Sequence, residues 1–331
     1  LSKESIMQAV ICRSFDGPDA LEVGEFADPE PGPGEILVEV HAASVSFMDG
    51  LMVSGRYQMR PATPFVPGTD AVGIVVGLGP GVTRFRHGDR VACTRFLGAH
   101  GELMVAGEWE AVHVPDGVPF AAASTVMYAY GTAYYALVER ARLRAGETVF
   151  VTGAAGGVGL AAVDLARQLG ARVIAGIGSD DKAALVRAYG ASETVNYSAE
   201  SLKDRIKAAT ESKGVDVCLE IIGGEVFEQM TRLMAWNGRL MPIGFTSGTI
   251  PSVPMNLPLL KNYSIVGVFY GAWSQRDPQG AVRVFEKLMG LVAAGHLRPH
   301  VQQVVPLDRV REAMRAIAQR SVQGRIVLKL R

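Results

Sequence analysis

The chain has 331 residues, 33 Lys plus Arg balanced by 33 Asp plus Glu, and three widely spaced cysteines, Cys12, Cys93 and Cys218. Such a length points to two domains; zero net charge argues against a nucleic-acid partner, and the cysteine spacing excludes a disulfide framework or a paired-cysteine zinc site. No run approaches the roughly 18 to 20 apolar residues of a spanning helix, and LSKESIMQAV lacks the apolar stretch of a signal peptide, so no membrane contact and a soluble, cytoplasmic protein are expected. Residues 1–6, ahead of Met7, are read as a tail without function, and 38 glycines foretell many tight turns.

From Met7 a strand-like MQAVIC opens a stretch of short alternating apolar runs broken by Gly and Pro. EILVEVHA (35–42) alternates Ile36, Val38 and Val40 with polar residues, DAVGIVVGLG (70–79) stops at Pro80-Gly81, and Gly88-Asp89 precedes a strand from Arg90 to Cys93. These read as antiparallel walls of a small barrel or partly open sheet. From about residue 126 the pattern becomes strand-helix alternation, the mark of βαβ units. A buried strand TVFVTG (148–153) precedes a helix with Val158, Ala161, Ala162, Leu165, Ala166 and Leu169 on one face. A second strand (172–177) leads to a helix carrying Ala184, Leu185 and Ala188, and further strands are expected at 215–222, 238–244 and 263–269. The end of the chain reads as loops, an amphipathic helix with Val310, Ala313, Met314 and Ile317, and a closing strand at 324–330. The expected organisation is an α/β protein: a β-rich domain of residues 1–125 and 271–331, interrupted by an α/β domain of residues 126–270.

The most informative stretch is VFVTGAAGGVGLAAV (149–163), with Gly153-x-x-Gly156-x-x-Gly159 between strand and helix and Ala154 where a dinucleotide fingerprint has its first glycine. Small residues there let a pyrophosphate approach the backbone at a helix N-terminus, where unpaired N–H groups and the dipole favour anions. A purely structural turn is the alternative, and it would not need three clustered glycines. The second strand ends in Gly176-Ile177-Gly178-Ser179, without the acid that usually meets the ribose of NAD. Asp180 and Asp181 read as helix-capping residues. Lys182, in the same turn, is out of place unless it is simply solvated or meets an anion such as a 2′-phosphate. NADPH is therefore favoured over NADH.

FDGPDALEVGE with PEPGPGEILVEV, PFVPGTDAVGIVVGLGPGVTRFRHGDRVA, YGTAYYALVERARLRAGETVFVTGAAGGVG, and GRLMPIGFTSG with LLKNYSIVGVFYG resemble the medium-chain dehydrogenases/reductases. Within them the chain is similar to the zinc-independent, zeta-crystallin-like quinone oxidoreductase branch. The resemblance runs from Met7 over nearly the whole chain. It implies a GroES-like catalytic domain, an inserted Rossmann domain with a doubly wound parallel sheet, and an active site in the cleft between them. It also implies that Ser179, Lys182 and Tyr197 hold the 2′-phosphate, with Arg320 as a further contact. Thr132, Phe245, Ser247, Phe269 and Tyr270 match the nicotinamide side. Gly153, Gly156, Gly157, Val158, Gly159, Gly178 and Ile222 complete the expected cofactor contacts, although Tyr197, Phe245 and Phe269 are also readable as ordinary packed aromatics.

Zinc-dependent relatives need a Cys, a His-Glu pair and a second Cys or His, and this chain has Thr69-Asp70 at the place of the pair. No metal is expected. Hydride transfer from NADPH to a quinone or an α,β-unsaturated carbonyl then relies on positioning and on a donor to the acceptor oxygen. The branch's substrate segment, Asn-x-x-Asp with Tyr and Arg, is represented by Ser46 and Asp49 with Leu51 and Val53, which implies a less polar pocket wall suited to bulky apolar substrates. Tyr57 and Tyr128 are the candidate oxygen donors. Reduction of enoyl thioesters, or NADPH binding with a structural or sensor role and little turnover, are the alternatives. The resemblance further implies a homodimer joined along YSIVGVF.

Overall fold

The computed structural model describes residues 5–331. Most of the expected tail lies outside the described residues; Ile6, its last member, opens the first strand. In chain order the strands are β1 (Ile6–Ile11), β2 (Glu22–Ala27), β3 (Glu35–Val45), β4 (Asp70–Leu78), β5 (Arg90–Thr94), β6 (Leu103–Gly107), β7 (Ala111–His113), β8 (Thr148–Val151) and β9 (Arg172–Ile177). They continue as β10 (Glu193–Asn196), β11 (Val215–Glu220), β12 (Met234–Pro242), β13 (Ser264–Ile265), β14 (Val301–Pro306) and β15 (Arg325–Lys329). Two compact units result, Leu1–Tyr128 with Arg276–Arg331, and Ala129–Gln275.

The first unit is a seven-stranded sheet in the order β14-β15-β3-β4-β5-β7, with β6 on β3, accompanied by the β1–β2 ribbon. Alternation along β3 puts Ile36, Val38 and Val40 into a cluster with Val75, Phe85, Val91 and Met104. A second cluster joins Val45, Ile326 and Leu328 to Met52 and Val53 of helix Phe47–Val53 and to Val310, Ala313 and Met314 of helix Val310–Ala318. One pairing departs from the antiparallel expectation: β14 and β15 run parallel. The cause is the helix Val310–Ala318 between them, which carries the chain back as a crossover. The expected loops after residue 271 are replaced by a 16-residue helix, Pro278–Ala293. Asp277 caps it by accepting from the Gly280 N–H at 2.9 Å, Pro278 fits its first turn, and Val282, Phe285, Leu288 and Met289 bury one face.

The second unit is a parallel sheet in the order β10-β9-β8-β11-β12-β13, the Rossmann arrangement. Phe150, Ile174, Val195, Cys218 and Leu240 form its core. Two expectations need correction. YSIVGVF yields only the two-residue β13, because it ends the sheet and hydrogen-bonds to β12 alone. In helix Ala183–Ala188 the buried residue is Val186, while Ala184 and Ala188 face outward, so the short helix turns a different face from the one its alanines suggested. Val126–Tyr130 and Tyr135–Arg140 are π-helical turns on either side of helix Gly131–Tyr134. Among the described residues no helix is long and apolar enough to cross a membrane.

Candidate nucleotide and acceptor sites

β8 is fully buried through Val149, Phe150 and Val151, and pairs with β9 and β11 on its two sides. It delivers the chain into the glycine turn, where the three glycines serve different ends. Gly153 adopts φ +59°, and a side chain on Gly159 would sit 2.2 Å from the Gly153 carbonyl, so the fold itself requires both. At Gly156 φ is ordinary, −78°, and an added Cβ would meet nothing closer than the Gly153 oxygen at 3.4 Å. Gly156 therefore keeps open a space the protein does not fill. Gly156 is the N-cap of helix Gly157–Gln168, which has no side-chain cap, and Gly157 and Val158 form its first turn. Open space at an uncapped helix N-terminus is the fit a pyrophosphate requires.

The other expected cofactor residues of this unit follow the C-terminal ends of the strands or flank them. Past β9, Gly178 lies under the Tyr197 hydroxyl, which would stand 3.4 Å from a Cβ there. Ser179 starts the turn Asp180–Lys182 without a cap bond from its side chain. Asp180 is held by Asn196, whose Nδ2 donates to its Oδ1 at 2.9 Å, so this acid is turned to the end of β10. Past β11, Ile222 packs 3.0 Å from the position of a Gly153 Cβ. Past β12, Phe245 packs on Gly223, and the Ser247 N–H donates to the Ile222 carbonyl at 2.8 Å. Thr132 is buried in helix Gly131–Tyr134, the ring of Tyr270 packs on Gly131, and Phe269 is exposed. Arg320 belongs to the first unit, just beyond helix Val310–Ala318, with φ +58°.

Sequence reasoning missed Glu220, the fully buried last residue of β11. Burial pushes its carboxyl up from the ordinary range, against hydrogen bonds from the Gly223 N–H, the Thr152 hydroxyl and the Ile222 N–H. It thus ties β8 to the Ile222–Gly223 turn. An acid closing the apolar run VDVCLE was the available signal.

In the first unit, Ser46 and Asp49 are both buried and spend their polar atoms on each other. They form a reciprocal capping box on helix Phe47–Val53, with the Ser46 N–H and hydroxyl donating to Asp49 Oδ2 at 2.6 and 2.8 Å. Val53, expected on a pocket wall, is instead fully buried in the apolar cluster under this helix. Leu51 is half-buried. Tyr57 is half-buried beside Phe96, ring centroids 6.3 Å apart, and burial raises its phenol. Asp70 accepts from the Tyr128 N–H at 3.0 Å, and the Arg325 guanidinium lies 5.3 Å from the Tyr128 ring centroid. Burial pushes Asp70 up to about 7, opposed by the charge of Arg325, the Thr94 hydroxyl and the Tyr128 N–H, and helped by Asp49. Among the described residues no three His, Cys, Asp or Glu side chains gather as a metal site.

Family models described as alcohol dehydrogenase GroES-like domain and zinc-binding dehydrogenase match residues 32–144 and 157–287. Quinone oxidoreductase-like protein 2 homolog of Nematostella vectensis is 39% identical over 97% of this chain and 88% of its own length. The chain belongs to the quinone oxidoreductase family of medium-chain dehydrogenases/reductases. Within this oxidoreductase family, quinone oxidoreductase-like protein 2 of Rattus norvegicus is 37% identical, over 98% of this chain and 92% of its own. The crystal structure of Escherichia coli quinone oxidoreductase, complexed with NADPH, superposes with a TM-score of 0.89 at 27% identity, covering 98% of this chain and 100% of that one.

Proposed function

We propose that the chain is a zinc-independent, NADPH-dependent reductase of quinones or α,β-unsaturated carbonyls. The observation that carries this reading is the glycine turn, in which Gly156 holds open a space at a helix N-terminus that the fold does not need. Bound NADPH supplies a hydride from C4 of its nicotinamide. The chain's residues do the rest: the N–H groups of the helix Gly157–Gln168 face the pyrophosphate, and Ser179, Lys182 and Tyr197 receive the 2′-phosphate. Thr132, Phe245, Ser247, Phe269 and Tyr270 bound the nicotinamide end. Independence from zinc rests on the donor set, with Thr69-Asp70 where zinc-dependent relatives have the His-Glu pair, and with three cysteines too scattered for a tetrahedral sulfur site.

The test is NADPH and NADH consumption by the metal-stripped protein with a panel of quinones, enones and enoyl thioesters; absence of turnover with every acceptor overturns the reading. Lys182→Ala is expected to raise KM for NADPH about 10- to 100-fold, the worth of one charge-assisted hydrogen bond, and to leave KM for NADH unchanged. Equal effects on the two cofactors would remove Lys182 from the phosphate site. A second reading, cofactor binding without turnover, is favoured by the Ser46–Asp49 capping box, which leaves those side chains committed to the helix. Binding of NADPH with no acceptor reduced would select it.

The protein is also proposed to be a homodimer. β13 ends its sheet, and Met255, Leu259, Leu260 and Ile265 are exposed on it and on the segment before it. An apolar sheet edge of this kind is an aggregation hazard unless covered. Light scattering is expected to give twice the chain mass, and Leu259→Glu with Leu260→Glu to give the monomer. A monomeric wild type would refute the assignment.

A further inference from the structure

Glu220 closes β11 fully buried, and its two carboxyl oxygens are shared among three donors of the second unit. Oε1 accepts from the Thr152 hydroxyl and from the Ile222 N–H, both at 3.0 Å, and Oε2 accepts from the Gly223 N–H at 2.8 Å. Each oxygen therefore meets a backbone N–H, a donor that cannot reverse its role. That pattern suits the ionised carboxyl, although burial works against the charge. Dipoles rather than a cation hold it, and the titratable neighbour is Cys218 on the same strand. A neutral side chain would join β8 to β11 at less cost.

What the carboxylate grips is the turn Ile221–Gly224, which stands between the glycine turn and the segment after β12. On one side the Ile222 side chain lies 3.0 Å from the position of a Gly153 Cβ. On the other, the Ile221 and Ile222 carbonyls accept from the Thr246 and Ser247 N–H groups at 3.1 and 2.8 Å, and the Gly224 N–H donates to the Thr249 carbonyl at 3.1 Å. Gly223 and Gly224 have φ +77° and +53°, a run that glycine enters freely and leaves as freely unless bonds fix it. The glycine turn is held by other bonds: the Ala154 N–H donates to the Gly176 carbonyl at 2.9 Å, and the Gly156 N–H to the Gly153 carbonyl at 3.0 Å. Glu220 thus governs the wall formed by residues 245–249, and the glycine turn keeps its own anchorage.

We propose, on the reading above in which Phe245 and Ser247 bound the nicotinamide end, that Glu220 is a positioning residue of the NADPH site. Acting through the N–H groups of Ile222 and Gly223, it fixes the turn from which Phe245 and Ser247 are hung, and so sets the nicotinamide end while the adenosine end is set without it. Every residue involved lies in the unit Ala129–Gln275. Thr152 completes the mount, since its hydroxyl donates to Glu220 and accepts from the Ile221 N–H at 2.8 Å. Glutamine cannot stand in for Glu220. Its amide has a single acceptor oxygen, so whichever way it faces, a backbone N–H meets an NH2 group and the turn must shift.

The experiment is calorimetric binding of NADPH and of adenosine 2′,5′-bisphosphate to the wild type, Glu220→Gln and Thr152→Val. The bisphosphate carries the adenosine, the 2′-phosphate and one phosphate of the pyrophosphate, but no nicotinamide. Glu220→Gln is expected to weaken NADPH about 10-fold and to leave the bisphosphate within about twofold of the wild type. Thr152→Val removes the hydroxyl and keeps both backbone bonds to the carboxylate, and is expected to show the same split at about threefold; it decides the matter should Glu220→Gln not fold. Equal weakening of both ligands would make Glu220 part of the general frame, and wild-type affinity for both would remove it from the site; either result overturns the positioning role. Failure of the nicotinamide-end reading shows in the wild type, as NADPH bound no more tightly than the bisphosphate, and the role of Glu220 falls with it. Turnover does not enter, so a protein that binds NADPH and reduces nothing leaves Glu220 in its role.

Discussion

Gly156→Val is expected to weaken NADPH binding at least about 100-fold while costing the fold only about 1 kcal/mol, the ordinary price of a poorer N-cap residue. The backbone there has φ −78° and ψ 175°, which valine adopts readily, and nothing in the protein stands closer than 3.4 Å to the new Cβ. A valine side chain would fill the space proposed above for the pyrophosphate. Gly159→Ala is expected to do the reverse, destabilising the protein by about 3 kcal/mol, because its Cβ would lie 2.2 Å from the Gly153 carbonyl and the turn must shift. Calorimetry and NADPH fluorescence titration on both variants check this pair. Wild-type affinity in Gly156→Val would mean that the turn is a structural device only.

The second large effect is on stability. Asp70 is expected to make the first unit less stable by about 4 kcal/mol as pH rises from about 4 to above 7. In the folded protein its carboxyl titrates at about 7, whereas in the unfolded chain it does so near 4. Between those values the folded state binds the extra proton, so the contribution is fully present below about 4 and is lost as pH climbs through about 7. Asp70→Asn removes the titration and should flatten that slope, leaving the variant relatively more stable at pH 8 than at pH 5. Urea unfolding of the two proteins at a series of pH values measures it. Parallel slopes would show that Arg325 holds Asp70 ionised throughout.

The glycine turn was legible because its function is local: strand, turn and helix N-terminus occupy consecutive residues, and each leaves its own mark. The buried group around Asp70 was not. Asp70 and Tyr128 stand 58 positions apart, and Arg325 arrives on the closing strand, where GRIVLKL reads as core. Only the pairing of β3 with β4 and β15 brings them together. Ser46 and Asp49 show the opposite difficulty. Their spacing was visible, but a capping box and a polar pocket wall use the same residue types, and the hydrogen bonds decide for the cap. Helix Pro278–Ala293 could have been read from Asp277-Pro278 and the spacing of Val282, Phe285 and Met289. In YSIVGVF apolar character overstated the strand, since length in a sheet depends on a neighbour and β13 has one.

The place of β15 bears on how the molecule is made. It lies inside its sheet, between β14 and β3, and brings the buried residues Ile326, Val327 and Leu328 to Ala43, Ser44 and Val45. During synthesis Ala42–Val45 of β3, on the side that β6 does not reach, therefore wait for their partner until residues 325–329 have left the ribosome. The unit Ala129–Gln275 is contiguous and complete long before then. The inserted unit can therefore close before the unit that surrounds it in sequence, and until β15 arrives the last residues of β3 present a short open edge of the kind that invites wrong pairing.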